Sequence, residues 1–292
     1  LGPSIGANIT QVARSIGSSI PYEIVVVDDG SSDSTRQEVE RTKASCPALK
    51  AVYLTRNAGK GEALKQGFEA SSGNIVLFID ADLDIPPEQL PLFFKVMEHE
   101  KADVVIGSKR HPSSVLDYPW YRKIISSVYY ALVKILLNLP VHDTQTGFKL
   151  FKREALSWAL PRLLTKRFAL DLEMLAVIHE KGFRIAEAPV QLDFKGTWGC
   201  AYPWVIQQTL IDTLAIFYRL RILRYYQSLP DTRMPANPPL VSIVIACPAH
   251  TAYLEECLAG IACQSYLSYE VIILPDETSG RPAGGRIREI PT

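Results

Sequence analysis

Apolar positions along the first 225 residues fall into short runs separated by stretches of helical periodicity. Residues 23–27 are a largely β-branched run that closes on Asp28, Asp29 and Gly30, and Ser31, Ser32, Asp33 and Ser34 follow with helix-capping side chains. Residues 51–54 make a short second strand and 61–70 a helix. Residues 74–79 form a continuous apolar run of the kind found in a strand buried on both faces, and 102–107 form another. Strands alternating with helices predict a mostly parallel α/β sheet. Residues 121–139 differ, because Ile124/Ile125, Val128/Tyr129, Leu132/Val133 and Leu136/Leu137 recur every four positions beside Arg122, Lys123 and Lys134. A similar helix is expected from 204 to about 224, with Arg219, Arg221 and Arg224 near its end. Such stripes suit helices packed into a core, or basic amphipathic helices lying on a membrane.

Residues 230–239 contain four prolines and no periodicity, which reads as a linker. Beyond it a strand at 241–246, a helix at 254–261 and a strand at 269–274 echo residues 9–29, where a helix precedes a strand ending in acids. The expected organisation is a first domain over 1–227, a linker over 228–239 and the opening of a second domain over 240–292.

Composition narrows the function. Lys plus Arg equals Asp plus Glu at 31 each, so a basic nucleic-acid binder is not expected. Five cysteines with no C-x-x-C pair read as free thiols rather than a metal site or disulfide framework. No signal peptide opens these 292 residues, and no apolar stretch is long enough to span a bilayer.

Carboxylates supply the candidate chemistry. Asp80-Ala81-Asp82-Leu83-Asp84 directly follows a buried strand, and alternate residues of an extended chain point the same way. At the carboxyl end of a parallel strand they would face the ligand crevice of an open α/β sheet. Clustered acids repel one another unless a cation sits among them, and Mg2+ or Mn2+ shared with substrate phosphates meets that need. Asp28 and Asp29 at another strand end could accept hydrogen bonds from a base or ribose. Arg56, Lys60, Gly59 and Gly61 lie in a loop that opens a helix, an arrangement suited to phosphate. Lys109, Arg110, Arg122, Lys123 and Lys195 form a dispersed basic set that could gather around an anionic head group. Residues 143–151 read as a polar turn entering an edge strand, and Asp171 and Glu173 stand on an otherwise apolar helix.

Together these motifs resemble family 2 glycosyltransferases of the GT-A fold, and among them the dolichyl- and polyprenyl-phosphate sugar synthases. The resemblance rests on Val26-Val27-Asp28-Asp29-Gly30-Ser31-Ser32-Asp33, Arg56-Asn57 with Gly59-Lys60-Gly61, and Asp80-Ala81-Asp82. Gly107-Ser108-Lys109-Arg110, the Asp143 to Phe151 run and Asp171-Leu172-Glu173 complete it. It implies a Rossmann-like sheet flanked by helices, with amphipathic C-terminal helices. It also implies metal-dependent, inverting transfer of a hexose from UDP-glucose or GDP-mannose to a polyprenyl or dolichyl phosphate. By the same resemblance Asp28, Asp29, Arg56, Lys60 and Asp80 would hold the nucleotide-sugar, and Asp82 and Asp84 the metal. Lys109, Arg110, Arg122 and Lys195 would grip the acceptor phosphate, and Asp80 and Asp171 would be catalytic, with Asp171 or Glu173 orienting the acceptor. Lys195 stands where an Arg is common, which removes bidentate binding there. The Asp143 to Phe151 run favours a glucosyl donor. The implied location is peripheral, on the cytoplasmic face of a membrane.

Two departures qualify the resemblance. The family's first strand is missing before Ile9, and residues 241–276 look like the opening of another family 2 domain with no metal triad after it. A nucleotide-binding chain impaired in turnover is therefore the alternative. A receiver-like signalling domain would also place acids after successive strands, but it leaves the region after residue 121 unexplained.

Overall fold

The computed structural model describes residues 2–17, 20–114, 120–165, 169–192 and 203–229, together with strands at 241–247, 269–275 and 286–288. The chain divides into two units, Leu1–Asp231 and Thr232–Thr292.

In the first unit, helix α1 (Gly2–Ile16) leads to strand β1 (Ile24–Asp28), helix α2 (Thr35–Lys43) and strand β2 (Leu49–Tyr53). Strands β1 and β2 pair in parallel. The start of α2 is held by Asp33, whose Oδ1 accepts from the Thr35 amide at 3.0 Å, whereas Ser34 at the cap position makes no such bond. Helix α3 (Lys60–Ala70), strand β3 (Ile75–Phe78) and helix α4 (Leu90–His99) follow. Strand β4 (Val104–Ser108), helix α5 (Trp120–Leu137) and strand β5 (Lys149–Lys152) come next. Helices α6 (Arg153–Ala159) and α7 (Leu170–Glu180), strand β6 (Ile185–Pro189) and helices α8 (Pro203–Phe217) and α9 (Tyr225–Ser228) complete the unit.

The second sheet has the order β3-β5-β4-β6. Strands β3, β4 and β6 run one way and β5 runs against its two neighbours. The Asp143 to Phe151 run therefore enters an interior strand, not an edge strand. Strand β4 is buried along its whole length, as its apolar run predicts. Strand β3 departs from expectation: Ile75 is 38% exposed and Val76, Leu77 and Phe78 are only half-buried. The reason is position, since β3 is the edge of its sheet while β4 lies between β5 and β6.

Among the described residues no ladder joins β1 to β3. Helices span that seam instead. Ile5 and Ile9 of α1 pack with Ile24 and Val26, while Ile16 of the same helix packs in the cluster containing Leu77 and Ile79. On α3, Gly67 lies against Val27, and Leu64 and Phe68 pack in the cluster containing Val76 and Phe78. Glu23, just ahead of β1, ties the same seam by accepting from Ser72 N (2.5 Å) and Gly73 N (3.1 Å) before β3.

The helix expected at 204–224 is α8 continued by one π-helical turn, Tyr218–Ile222, and it ends where Arg224 adopts a left-handed conformation. In the second unit β7 (Val241–Cys247) pairs in parallel with β8 (Tyr269–Pro275), and β9 (Arg286–Arg288) pairs antiparallel to β8. The helix expected at 254–261 lies outside the described residues.

Candidate active site

The carboxyl ends of β1 and β3 carry the acids that the sequence singles out. Asp28 is the last residue of β1 and is buried, with Oδ1 accepting from Ser31 N at 3.0 Å. Asp29 turns to the loop ahead of α3, where Oδ1 accepts from Ala58 N (2.7 Å) and Oδ2 from Gly59 N (2.9 Å). Both of its oxygens thus clamp the loop that carries Arg56 and Lys60. Gly30 lets that loop approach: its φ is +71°, and a Cβ there would lie 2.7 Å from the Arg56 carbonyl carbon. Arg56 itself is exposed.

Residues 80–83 form a turn rather than the extended chain that alternate spacing assumes. Leu83 N donates to Asp80 O at 3.1 Å, and Leu83 takes φ +53° with its side chain buried. Burying Leu83 reverses the chain and still leaves Asp80, Asp82 and Asp84 lining one small cavity of about 80 Å3. Lys109 and residues 145–147 line its other wall. The Asp80 carboxylate rests against Gly147, where any Cβ would overlap it.

Lys60 reaches from the start of α3 to Asp80 Oδ1 (3.2 Å) and to Asp171 Oδ2 (3.5 Å). Desolvation opposes the Lys60 charge, but Asp171 and Asp80 prevail and raise its pKa. Asp171, in the first turn of α7, is paired on its other oxygen with Lys149 Nζ at 2.8 Å. Burial alone would raise the Asp171 pKa, yet Lys149 and Lys60 hold it below the usual aspartate value.

Glu173 faces elsewhere. It is fully buried and accepts from Leu164 N (3.0 Å), Thr165 N (2.7 Å), Arg219 (2.9 Å) and Tyr226 Oη (2.5 Å). Glu173 is thus committed to holding the C-terminal helices, whereas Asp171 stays in contact with Lys60 beside Asp80.

Of the basic set, Lys109 lines the acidic cavity, and its amide donates to Asp143 Oδ2 at 3.1 Å. Arg110 points the other way, donating to Ser126 and Ser127 of α5 at 3.0 Å each and covering the Tyr130 ring. Arg122 and Lys123 lie on the described backbone of α5, but their side chains and all of Lys195 lie outside the described residues.

The sequence motifs assign no site role to Lys149 or Gln145. A lysine inside the run Phe148-Lys149-Leu150-Phe151 was the available signal, because a buried ammonium in an interior strand requires an anionic partner.

Among the described residues, no set of three His, Cys, Asp or Glu side chains is arranged to hold a metal by itself. Asp82 and Asp84 still fit Mg2+ or Mn2+, which are commonly held by one or two carboxylates with substrate phosphates completing the shell.

Comparison with known proteins shows the family and the fold. Residues 2–158 match glycosyl transferase family 2. A human dolichyl-phosphate beta-glucosyltransferase is 31% identical over 222 residues, covering 73% of this chain and 68% of that protein. Glycosyltransferase AglD of Haloferax volcanii is 31% identical over 175 residues, covering 60% of this chain and 28% of AglD. A dolichyl-phosphate beta-glucosyltransferase of Trichomonas vaginalis is 29% identical, and the chain spans 61% of its length. Glucosyl-3-phosphoglycerate synthase from Mycobacterium tuberculosis, solved with Mn2+, UDP-glucose and phosphoglyceric acid, aligns at 18% identity with a TM-score of 0.54. That alignment covers 74% of this chain and 75% of the other, and it carries the fold, GT-A. By fold, motif order and sequence match, the chain belongs to glycosyl transferase family 2.

Proposed function

We propose that the protein transfers glucose from UDP-glucose to a dolichyl or other polyprenyl phosphate at a membrane surface, with inversion and with help from a divalent cation. The observation that carries this reading is the convergence of Asp80, Asp82, Asp84 and Lys109 on one cavity beyond the carboxyl end of β3. The glucosyl choice over mannosyl rests on the Asp143 to Phe151 run and on the names of the relatives.

In this reading Asp28 and the loop clamped by Asp29 hold the nucleoside, Arg56 and Lys60 face the diphosphate, and Asp82 and Asp84 hold Mg2+ or Mn2+. The cation would supply charge neutralisation for the departing diphosphate. Asp80 braces the donor sugar against Gly147, and Asp171 orients the acceptor. A phosphate acceptor is already anionic at neutral pH, so a strong general base is not needed. Lys109, Arg122 and Lys195 would receive the acceptor phosphate, while Arg110 serves through its grip on α5.

The membrane surface is supported by outward apolar rows. Val128 and Ile135 of α5 and Leu210 and Leu214 of α8 are exposed, as are Tyr218 and Ile222 in the π-helical turn, with Arg221 and Arg224 beside them. Apolar faces edged by arginine suit an anionic lipid surface. No described helix is long and apolar enough to cross a membrane. The reading places the first unit peripherally on the cytoplasmic face, and it takes residues 240–292 as the opening of a second family 2 domain.

A second reading, a chain that binds nucleotide without turnover, draws on the absence, among the described residues, of a ladder between β1 and β3. Calorimetry with UDP-glucose and GDP-mannose, with and without Mn2+, separates the two when combined with a transfer assay on dolichyl phosphate. Mn2+-dependent UDP-glucose binding that Asp82→Asn abolishes, with product formed by the parent, is the expected result. Binding without product supports the second reading, and no binding by folded protein removes both.

A further inference from the structure

We propose that Lys149 is a positioning residue for the transfer, its buried ammonium fixing the Asp171 carboxylate, and through it the Lys60 ammonium, beside Asp80. The inference rests on the reading of Asp80 and Asp171 as parts of a transferase site. It deepens that reading by supplying a residue that the motifs did not assign.

Lys149 is the first residue of β5, a strand with neighbours on both sides, and its side chain is 1% exposed. An ammonium placed there has lost its water and must be paired. Its Nζ donates to Asp171 Oδ1 at 2.8 Å and to the carbonyl of Thr146. The second bond ties it to the segment that carries Gly147, the residue on which Asp80 rests. Asp171 Oδ2 then faces Lys60 at 3.5 Å, and Lys60 faces Asp80 at 3.2 Å. Charges therefore alternate along one line: Lys149, Asp171, Lys60, Asp80.

The line runs from the core to solvent, because the side chains are 1%, 11%, 44% and 49% exposed in that order. The inner pair is largely buried and the outer pair is accessible to a ligand. Three elements meet at Asp171: β5 brings Lys149, α3 brings Lys60, and α7 carries Asp171 itself, with Glu173 directed to Arg219 and Tyr226. No other ion pair to Asp171 is present among the described residues. Without Lys149, a largely buried carboxylate would keep only the partly exposed Lys60 to hold it.

The test uses the full chain with carbon-13 label in the aspartate carboxyls, and the Asp171 signal is assigned by its loss in Asp171→Asn. In the parent, Asp171 is expected to stay ionised well below the ordinary aspartate value of about 3.9. In Lys149→Met its midpoint should rise by about one pH unit or more, as expected when the nearest opposite charge is removed. The rate of glucose transfer to dolichyl phosphate should fall about 10- to 100-fold, with its acid limb displaced upward in step. Lys60→Met should move the midpoint less than Lys149→Met, because its ammonium is farther away and more exposed.

A folded Lys149→Met with an unmoved Asp171 midpoint overturns the proposal. So does a lower rate with an unmoved acid limb, which is what a purely structural role predicts. If Lys149→Met does not fold, the parent decides, since an Asp171 midpoint at or above the ordinary value overturns the proposal by itself. The carboxyl titration needs no substrate. A parent that titrates as expected yet transfers no glucose therefore counts against the proposed function and leaves the Lys149–Asp171 linkage standing.

Discussion

Gly147 lies outside the left-handed region, so its requirement for glycine is one of space. The Asp80 carboxylate occupies the volume where a Cβ would stand. Gly147→Ala should displace that carboxylate, and a misplacement near 1 Å in a reacting constellation costs about 100-fold. The expected outcome is a kcat lowered by about that factor, with the circular dichroism spectrum retained. A rate within threefold of the parent would remove Asp80 from the catalytic set. The sequence presents Asp80 and Gly147 in separate motifs, and their contact depends on β3 and β5 pairing with Phe78 opposite Lys149. Asp29 carries a related lesson. Its position at a strand end was legible, but its partners, the amides of Ala58 and Gly59, lie about thirty positions along the chain.

Two carboxylates act at the scale of elements. Glu173 joins α7 to the chain at 164–165, to the π-helical turn through Arg219 and to α9 through Tyr226. Burial and the neighbouring Glu173 charge push the Tyr226 pKa up, so its phenol remains a donor. Breaking one partner of such a buried network costs about 3–5 kcal/mol, so Glu173→Ala should lower the unfolding free energy by that amount in urea titrations. A loss under about 1 kcal/mol would return Glu173 to the pool of site candidates. Glu23 ties β1 to the turn before β3, and hydrogen bonds from Lys50 and the Ser72 amide lower its pKa to about 2. Because the folded value is depressed, its contribution to stability is complete above about 4.5 and is lost as pH falls toward 2. Glu23→Gln should therefore flatten the acid side of the stability profile, as measured by thermal unfolding at successive pH values. An unchanged profile would mean that the seam is held by the helices alone.

At the scale of the whole molecule, the first unit presents an apolar face that no described element covers. Val128 is 67% exposed, Ile135 80% and Ile222 60%, values at odds with the packed-helix reading of their stripes. The same helices also contribute to the core through Val133, Leu137, Ile216 and Leu220. The packed reading thus holds for one side of each helix, and the exposed side is the part on which the proposed membrane contact rests. Placing charge on the outer side should weaken attachment to lipid: Leu214→Glu with Ile222→Glu is expected to reduce partition onto anionic vesicles by about tenfold or more in co-sedimentation. Unchanged partition would remove this face from the membrane reading.

Local patterns determined a good deal. Strand and helix positions, the alternation that predicts an α/β sheet, and the acids at the ends of β1 and β3 follow from periodicity and short motifs, which depend on neighbours within one turn or one strand. Sheet order is not local. Among the described residues, that β5 lies inside its sheet, that β3 is an edge, and that β1 and β3 share no ladder were decided by which strands pair. The turn at 80–83 was also a tertiary choice, since it buries Leu83 at the cost of a left-handed backbone. Side-chain commitments came last: Arg110 to α5, Glu173 to the C-terminal helices, and Lys149 to Asp171. A charged residue has several possible partners in a sequence. Only the packed chain, by removing water from all but one arrangement, makes the choice.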